Sequence, residues 1–390
     1  MSALAETRPD PRPTWDVFCR VVDNFGDIGV CRRLCLSLAR DHDIAVRLIT
    51  DQPELLQRMD EPTAIAAESP IGAPFRVIRW CSSLIPEATT AVVIEAFACE
   101  LPEGYSRQMA SDGRRRLWIN LEYLSAEPWV EGCHGLVSRH PELGLDKVFV
   151  FPGFTGGTGG LLRESGLLAR RDAFTADPDA QAAFWQGLGL DAPAGAERRV
   201  CLFGYENPAA IALLDVMAGD ESPWTVVVPE DRSATQVAAW AGSPLARPGD
   251  SAVVGALRVV RVPFMAQDRF DQLLWACDLN LVRGEDSLVR ALWAARPFLW
   301  QAYVQPDDAH LDKVAALATA FARGVAPAGL PGTYLSSLQA WNGTDGGEGD
   351  WTGFLHKLPA LAAATRRWSE VLAVGPELAG SLVELSKAHV

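Results

Sequence analysis

The chain has 390 residues, and its mixture of 48% hydrophobic and 22% charged residues is that of a globular protein rather than a disordered one. This length exceeds that of one ordinary core, so two domains are expected. The formal net charge of −14 disfavours general nucleic-acid binding, because contacts to phosphate need clustered lysine and arginine.

Strands and helices alternate along the first half of the chain. A β-rich run at 15–22 leads into the short loop DNFGDIG, a helical stretch at 30–40 and a second strand at 45–50. This order predicts a βαβ unit with parallel strands. Short runs rich in Val, Ile, Phe and Trp are typical of further buried parallel strands, at 76–80, 91–97, 116–121, 136–138 and 148–151.

The same alternation restarts in the second half. Before it lie a glycine-rich loop, FTGGTGG at 154–160, and a polar stretch at 170–197 with one expected helix at 182–188. Strands are then predicted at 199–203, 224–228, 257–262, 278–282 and 298–301. Helices are predicted between them at 208–217, 234–241, 268–276 and 287–294, and again at 359–388 after a turn region.

Two α/β units followed by terminal helices predict an α/β protein of the GT-B architecture. In that architecture two Rossmann-like domains face a cleft, and the last helices cross back to the first domain. We predict a first domain at 1–180, joined by helices at about 362–390, and a second domain at 195–361.

Location in the cytoplasm is expected. No run of about 18 apolar residues predicts a membrane span, and residues 1–15 are polar and rich in proline, unlike a signal peptide. The eight cysteines include no CxxC pair and mostly lie among apolar neighbours, which favours reduced, buried thiols.

The loop after the first predicted strand carries two carboxylates, Asp23 and Asp27, together with Gly26 and Gly29. Ligands bind at the carboxyl ends of strands in open α/β sheets. A carboxylate there can take a proton or attract a cation, and glycines let the backbone approach a ligand. In the structural alternative, Asp27 only caps the helix and the glycines only form the turn. The loop lacks the G-x-G-x-x-G spacing of a dinucleotide site.

A second charged turn, RGEDS, follows the apolar strand DLNLV and opens a predicted helix. The partial positive charge and free N–H groups of a helix N-terminus suit a diphosphate. Ser287 and the adjacent amides would hold it, and Arg283 would add charge. Asp286 or Ser287 is alternatively an ordinary N-cap, whereas Glu285 is harder to explain as structure alone.

Aromatic side chains follow several strands of the second half. A flat base stacks well on such rings, and a glutamine amide can read the edge of a base. Taken singly, each ring is more readily explained as part of the core. The residues concerned are Phe203, Tyr205, Phe264, Gln267, Phe270 and Tyr303.

From about Trp15 to the last helices, the sequence resembles the bacterial protein-arginine rhamnosyltransferases of the EarP family. The resemblance rests on long strings: WDVFCRVVDNFGDIGVCRRL, INLEYLSAEPWVEGCHGL, FPGFTGGTGGLLRE, LFGYEN and VRGEDSLVRALWAARPFLWQAYVQ. It implies a GT-B fold, the donor TDP-β-L-rhamnose, inversion at the anomeric carbon and no metal or other cofactor. It also implies one arginine at a loop tip of translation elongation factor P as acceptor, whose modification helps rescue ribosomes stalled at polyproline.

The resemblance also implies roles for single residues. Asp27 matches the general base of the family and Asp23 its neighbouring essential acid, and Glu285 is the third expected catalytic residue. The turn that faces the diphosphate and sugar is matched by Arg283, Glu285, Asp286 and Ser287. Positions around the nucleotide are matched by Phe203, Tyr205, Phe264, Gln267, Phe270 and Tyr303.

Three other functions remain open from the sequence. A sugar-nucleotide 2-epimerase shares the two-domain plan and acts on the donor without an acceptor. A non-enzymatic partner of a translation factor would bind that factor regardless of nucleotide sugar. A nucleotide-dependent oxidoreductase is disfavoured by the missing glycine fingerprint.

Overall fold

Two sheets, one from each half of the chain, organise the protein. The computed structural model describes residues 12–22, 25–59, 74–230, 233–305, 308–323, 329–343 and 348–389. The first sheet contains β1 Thr14–Cys19, β2 Ala45–Thr50, β3 Arg76–Arg79, β4 Thr90–Ala96, β5 Leu117–Leu121, β6 Val137–Arg139 and β7 Asp146–Val150. Its helices are α1 Phe25–Asp41, α2 Glu54–Met59, α3 Glu103–Ser111 and α4 Trp129–Cys133.

The second sheet contains β8 Arg198–Leu202, β9 Trp224–Pro229, β10 Ser251–Val254, β11 Leu257–Val262, β12 Leu279–Arg283 and β13 Phe298–Gln301. In chain order, α5 Leu167–Ala176 and α6 Pro178–Gly187 come after the last strand of the first sheet and before the first strand of the second. The remaining helices are α7 Pro208–Ala218, α8 Ser233–Trp240, α9 Gln267–Ala276, α10 Gly284–Ala294, α11 Ala309–Ala322, α12 Leu330–Asn342, α13 Trp351–His356, α14 Leu358–Ala373 and α15 Leu378–His389.

Both sheets follow the same Rossmann-like plan. The first has the strand order β3-β2-β1-β4-β5-β7-β6, and the second has β10-β11-β9-β8-β12-β13. The inner pairs are parallel, whereas the short edge strands β6 and β10 pair antiparallel with β7 and β11. In each sheet the order reverses beside the first strand of that half, at β1/β4 and at β8/β12. Open α/β sheets bind ligands at this switch point.

The chain crosses back to the first sheet at its C-terminal end. Helix α14 packs in the hydrophobic cluster of the second sheet, where Trp368 stacks on Phe298. Helix α15 instead buries Leu378 and Leu382 in the cluster formed by α1 and the first sheet. Helices α5 and α6 pack in the hydrophobic cluster of the second sheet. The domain boundaries predicted at 180 and 195 stay a prediction.

The prediction of two parallel α/β sheets is confirmed, but several local predictions are wrong. Helix α1 begins at Phe25 and α10 at Gly284, both earlier than predicted. The stretch 170–197 holds most of α5 and all of α6 instead of one helix. Helices α2, α3, α4, α11, α12 and α13 and strand β10 were not predicted. All eight cysteines are unpaired and six are buried. In the part of the chain that the structure describes, no helix is long and apolar enough to cross a membrane.

Candidate active site

The carboxyl ends of the two sheets open onto a common cleft that contains two adjoining cavities. The first, here called the aromatic cavity, has a volume of about 660 Å³. The second, here called the acidic cavity, has a volume of about 910 Å³. Gly26, Gly284 and Glu285 line both cavities and therefore form the wall between them.

The aromatic cavity brings together most of the residues predicted to bind a nucleotide and its diphosphate. Its first-domain wall includes Phe25 and Met59, which the sequence analysis missed although Phe25 lies within the DNFGDIG motif. Its second-domain wall includes Phe203, Phe264, Gln267, Phe270, Arg283, Glu285, Asp286 and Ser287. The rings of Phe203 and Phe270 meet edge to face, with their centroids 5.1 Å apart.

Arg283 ends β12 and lies against two aromatic rings. The centre of its guanidinium is 4.9 Å from the centroid of Phe203 and 4.5 Å from that of Tyr205. Its Nη1 donates a hydrogen bond of 3.3 Å to the Tyr205 hydroxyl. Tyr205 in turn meets Tyr303 edge to face at 6.0 Å, and Tyr303 lines the acidic cavity rather than the aromatic one. Tyr205 lines neither cavity and contacts Arg283 of the aromatic cavity and Tyr303 of the acidic cavity.

A second aromatic pair closes the aromatic cavity across the domain junction. The ring of Phe264, which follows β11, lies 4.8 Å from that of Phe25 at the start of α1. The guanidinium of Arg58 lies over both rings, 4.9 Å from the Phe264 centroid and 5.3 Å from the Phe25 centroid. Contacts of this type are worth about 0.5–2 kcal/mol each. Phe264 is therefore held jointly by both domains.

Carboxylates and aromatic rings line the acidic cavity. Asp27 contributes from the first turn of α1 and Glu285 from the first turn of α10. Lys313 is a cation on the same wall. The other side chains that sequence reasoning missed here are Phe97, Tyr123 and Trp300, of which Tyr123 follows β5 within the string LEYLSAE.

Asp27 is only 5% exposed, and its Oδ2 accepts a hydrogen bond of 2.9 Å from the backbone N–H of Val22. Val22 follows β1, so this bond ties the carboxylate in the first turn of α1 to the carboxyl end of that strand. Asp23, the other predicted carboxylate, lies outside the described residues.

The first turn of α10 carries the second charged motif. Arg283 occupies the N-cap position without a side-chain cap, and Gly284 has a φ of +68°, which favours glycine. The alternative that Asp286 or Ser287 caps this helix is therefore wrong. The Ser287 hydroxyl donates to the carbonyl oxygen of Arg283, and Glu285 Oε2 accepts from the Leu124 N–H at 3.1 Å. Glu285 is thus anchored to the first domain.

Gln267 and Asp286 face protein partners at the domain junction. Gln267 Oε1 accepts from Arg32 Nη1 at 2.6 Å, and its Nε2 donates to the carbonyl oxygen of Gly29 at 3.2 Å. Asp286 Oδ1 lies 2.9 Å from Nε of Arg33, and its Oδ2 lies 3.4 Å from the Gln267 amide. Both residues border the aromatic cavity, but their polar atoms are engaged across the junction.

Among the described residues, no group of three or more His, Cys, Asp or Glu side chains is placed to hold a metal ion. That the reaction needs no metal stays a prediction, because the arrangement of side chains does not test the requirements of the reaction.

Comparisons with known proteins agree with this arrangement. Residues 15–387 match the family model described as "Elongation-Factor P (EF-P) rhamnosyltransferase EarP". A protein-arginine rhamnosyltransferase of Pseudomonas aeruginosa is 45% identical over 371 residues, which cover 95% of this chain and 98% of that protein. One of Pseudomonas putida is 45% identical over 373 residues, with the same coverage of 95% and 98%.

Solved structures extend the likeness to the fold. One solved structure is described as showing the "structural basis for EarP-mediated arginine glycosylation of translation elongation factor EF-P". It is 33% identical to this chain, with a TM-score of 0.68 over 97% of this chain and 99% of that one. The spinosyn rhamnosyltransferase SpnG is 13% identical with a TM-score of 0.53, over 95% of this chain and 99% of that one, and shows the fold alone. The predicted GT-B fold is confirmed. The chain belongs to the EarP family of elongation factor P rhamnosyltransferases.

Proposed function

We propose that this protein transfers L-rhamnose from TDP-β-L-rhamnose to an arginine side chain of translation elongation factor P. One observation carries the proposal: the carboxylates of Asp27 and Glu285 line a cavity that adjoins a second cavity of aromatic rings and a helix N-terminus. The names of the relatives favour a transferase over a 2-epimerase or a non-enzymatic partner of the factor. Such an acceptor would place the reaction in the cytoplasm.

In this proposal the donor occupies the aromatic cavity. The thymine packs among Phe203, Phe264 and Phe270, whose rings supply flat apolar contact. Tyr205 and Tyr303 complete the aromatic surroundings of the donor from the Arg283 side. The diphosphate meets the first turn of α10, where free backbone N–H groups near Ser287 and the partial positive charge of the helix favour an anion. Arg283 adds a full positive charge beside it.

The acceptor arginine enters the acidic cavity, where Asp27 and Glu285 attract and orient its guanidinium. A free guanidinium is a poor nucleophile because its pKa exceeds about 12. The reaction therefore needs a carboxylate to take a proton as the new bond forms, and Asp27 is assigned this role with Asp23 as its neighbouring acid. The Gln267 amide, already held by Arg32 and Gly29, supports the site from the junction.

The bonds that change follow from a single inverting displacement. A guanidinium nitrogen attacks the anomeric carbon, the bond from that carbon to the diphosphate oxygen breaks, and the nitrogen loses a proton to Asp27. TDP leaves with additional negative charge, which the N-terminus of α10 and Arg283 stabilise more in the transition state than in the ground state. No resident metal is assigned to any of these steps.

Intact mass spectrometry of elongation factor P, incubated with the enzyme and TDP-rhamnose, tests the proposal. We expect elongation factor P to gain the mass of one deoxyhexose, on one arginine. The same gain is expected when a metal chelator is present. The variant Asp27→Asn should lower turnover at least about 100-fold, which is the usual contribution of a general base, while TDP affinity stays within about threefold. Near-normal turnover of Asp27→Asn would remove the base from the mechanism.

A matched incubation without elongation factor P separates the alternatives. Interconversion of TDP-rhamnose in the absence of the acceptor, followed by NMR, would identify an epimerase. Binding of the factor with no mass increment under any condition would identify a non-enzymatic partner.

A further inference from the structure

A cluster of buried charges joins the two halves of the protein behind the aromatic cavity. We propose that Arg33 is a positioning residue that neutralises Asp286 across the junction and holds the first turn of α10 in the form that receives the diphosphate. This inference rests on the proposed function, because it concerns the donor site of that reaction. Arg33 was not predicted as a site residue.

Arg33 lies on α1 and is 2% exposed. Its two terminal nitrogens form a two-pronged contact with Asp271 of α9, at 3.1 Å each. Its Nη1 also lies 3.3 Å from Glu164 Oε1. Its Nε lies 2.9 Å from Asp286 Oδ1 on α10, an ion pair that lacks the angle of a hydrogen bond. One first-domain cation thus contacts acids from three separate segments of the chain.

A second arginine completes the cluster without reaching Asp286. Arg290 donates from Nε to Asp271 Oδ1 at 2.9 Å and from Nη2 to Oδ2 at 2.6 Å. Its Nη1 donates to Glu164 Oε2 at 2.6 Å. Asp271 and Glu164 are therefore each shared by two arginines, whereas the contact of Asp286 with this cluster is through Arg33.

The position of Asp286 gives this pairing a consequence for the donor. Its carboxylate borders the aromatic cavity, one residue before Ser287 and one after Glu285. A carboxylate in the wall of a diphosphate site repels the ligand unless a nearby cation compensates its charge. Removing one partner of a buried pair leaves such an uncompensated charge. Arg33 supplies the compensation and ties the turn to α1, which also carries Asp27.

The same junction holds a second tie between these two helices. The Gln267 amide contacts Asp286 Oδ2 and the carbonyl oxygen of Gly29, and a Cβ added at Gly29 would lie 3.2 Å from that amide nitrogen. Gln267, at the start of α9, therefore bridges α1 and the first turn of α10. Loss of Arg33 would loosen this approach as well as expose the charge of Asp286.

TDP binding by calorimetry tests the inference with the full-length protein. We expect Arg33→Met to weaken TDP binding at least tenfold. In Arg33→Met/Asp286→Asn, TDP affinity should recover to within about threefold of Asp286→Asn alone, because the uncompensated charge is gone. A purely structural role for Arg33 would predict no such rescue. The control is Arg116→Met, which breaks a similarly buried two-pronged pair with Asp112, at 2.8 and 2.6 Å, within the first domain.

TDP affinity of folded Arg33→Met within twofold of the wild type, or a double variant no better than Arg33→Met, would overturn the inference. Should Arg33→Met fail to fold, Arg33→Lys replaces it. We then expect Arg33→Lys to weaken TDP binding at least threefold, and the added change Asp286→Asn to remove this loss. TDP binding by the wild type without rhamnose transfer to the factor would refute the proposed function and leave this comparison intact. Failure of the wild type to bind TDP would refute both.

Discussion

In the proposed donor complex, Arg283 combines a positive charge with a flat surface between the base and the diphosphate. Its guanidinium lies over Phe203 and Tyr205, and these two rings help to orient it. Lysine keeps the charge but not the planar contact.

We therefore expect Arg283→Lys to weaken TDP binding about tenfold, corresponding to the loss of roughly 1–2 kcal/mol of stacking and hydrogen bonding. Calorimetry with TDP measures this effect. Arg198→Lys is the matched control, because Arg198 lies 5.1 Å over the ring of Trp224 in the same sheet but at the opposite ends of the strands. Equal losses in the two variants would contradict a specific role for Arg283.

Single site residues were predictable where their position along the chain determines their place in the sheet. Arg283 ends a strand, Phe203 directly follows one, and Asp27 lies in the first turn of the helix after β1. Parallel strands bring such positions to one edge of the sheet. Arg33 gave no comparable signal, because its partners are Asp271 and Glu164, more than a hundred residues away in sequence. Only tertiary packing converts what resembles a surface arginine into a buried one.

At the scale of elements, the glycine-rich loop FTGGTGG supports the return crossing of the chain. Gly160 has a φ of +77°, and a Cβ built there would overlap the carbonyl group of Pro376. Beside it, Leu161 pairs with Glu377 immediately before α15. The loop that sequence analysis left without a role thus receives the last segment.

Gly160→Ala should lower the free energy of unfolding by about 3 kcal/mol or more, since the collision with Pro376 adds to the backbone strain. Gly113→Ala is the matched control: its φ is +71°, and a Cβ there meets nothing within 4 Å. It should cost only about 1 kcal/mol. Thermal melting of both variants checks the difference, and equal losses would show that the crossing tolerates a side chain.

Local signals predicted the strands better than the helices. The central strands of each sheet are short, apolar and buried, as expected for parallel sheets, whereas the edge strands β3, β6 and β10 are more exposed. Helix α6 overlaps the helix predicted at 182–188 but begins earlier, at Pro178. Asp177 accepts from the N–H groups of Asp179 and Ala180 and Pro178 lies in the first turn, a start signal that the prediction did not use. Helix α10 starts at Gly284 because the left-handed φ of that glycine lets the turn begin directly after β12, which the sequence pattern does not reveal.

At the scale of the whole molecule, the charge cluster at the junction makes stability depend on pH. Burial alone would raise the pKa of Glu164, but the charges of Arg290 and Arg33 outweigh it and lower this pKa to about 2 from an ordinary 4.5. Because the folded-state pKa is depressed, the stabilisation is present above pH 4.5 and is lost as pH falls toward 2. Its size is roughly 3 kcal/mol.

We expect Glu164→Gln to lower the melting temperature most above pH 5, with the gap to the wild type narrowing as pH falls below about 4.5. Circular dichroism melts across this range measure the gap. Glu384→Gln breaks an exposed pair with Lys387 and should change little at any pH. A gap for Glu164→Gln that stays constant down to pH 3 would contradict the assigned linkage.

The docking of α15 on the first sheet has a consequence for biosynthesis. Leu378, Ala379 and Leu382 of α15 fill part of a core whose strands all lie within residues 14–150. A nascent chain therefore exposes an apolar face of its first domain until residues 378–382 have been translated. We infer that this domain matures last, although it is synthesised first, and that premature termination would leave it open to aggregation and proteolysis.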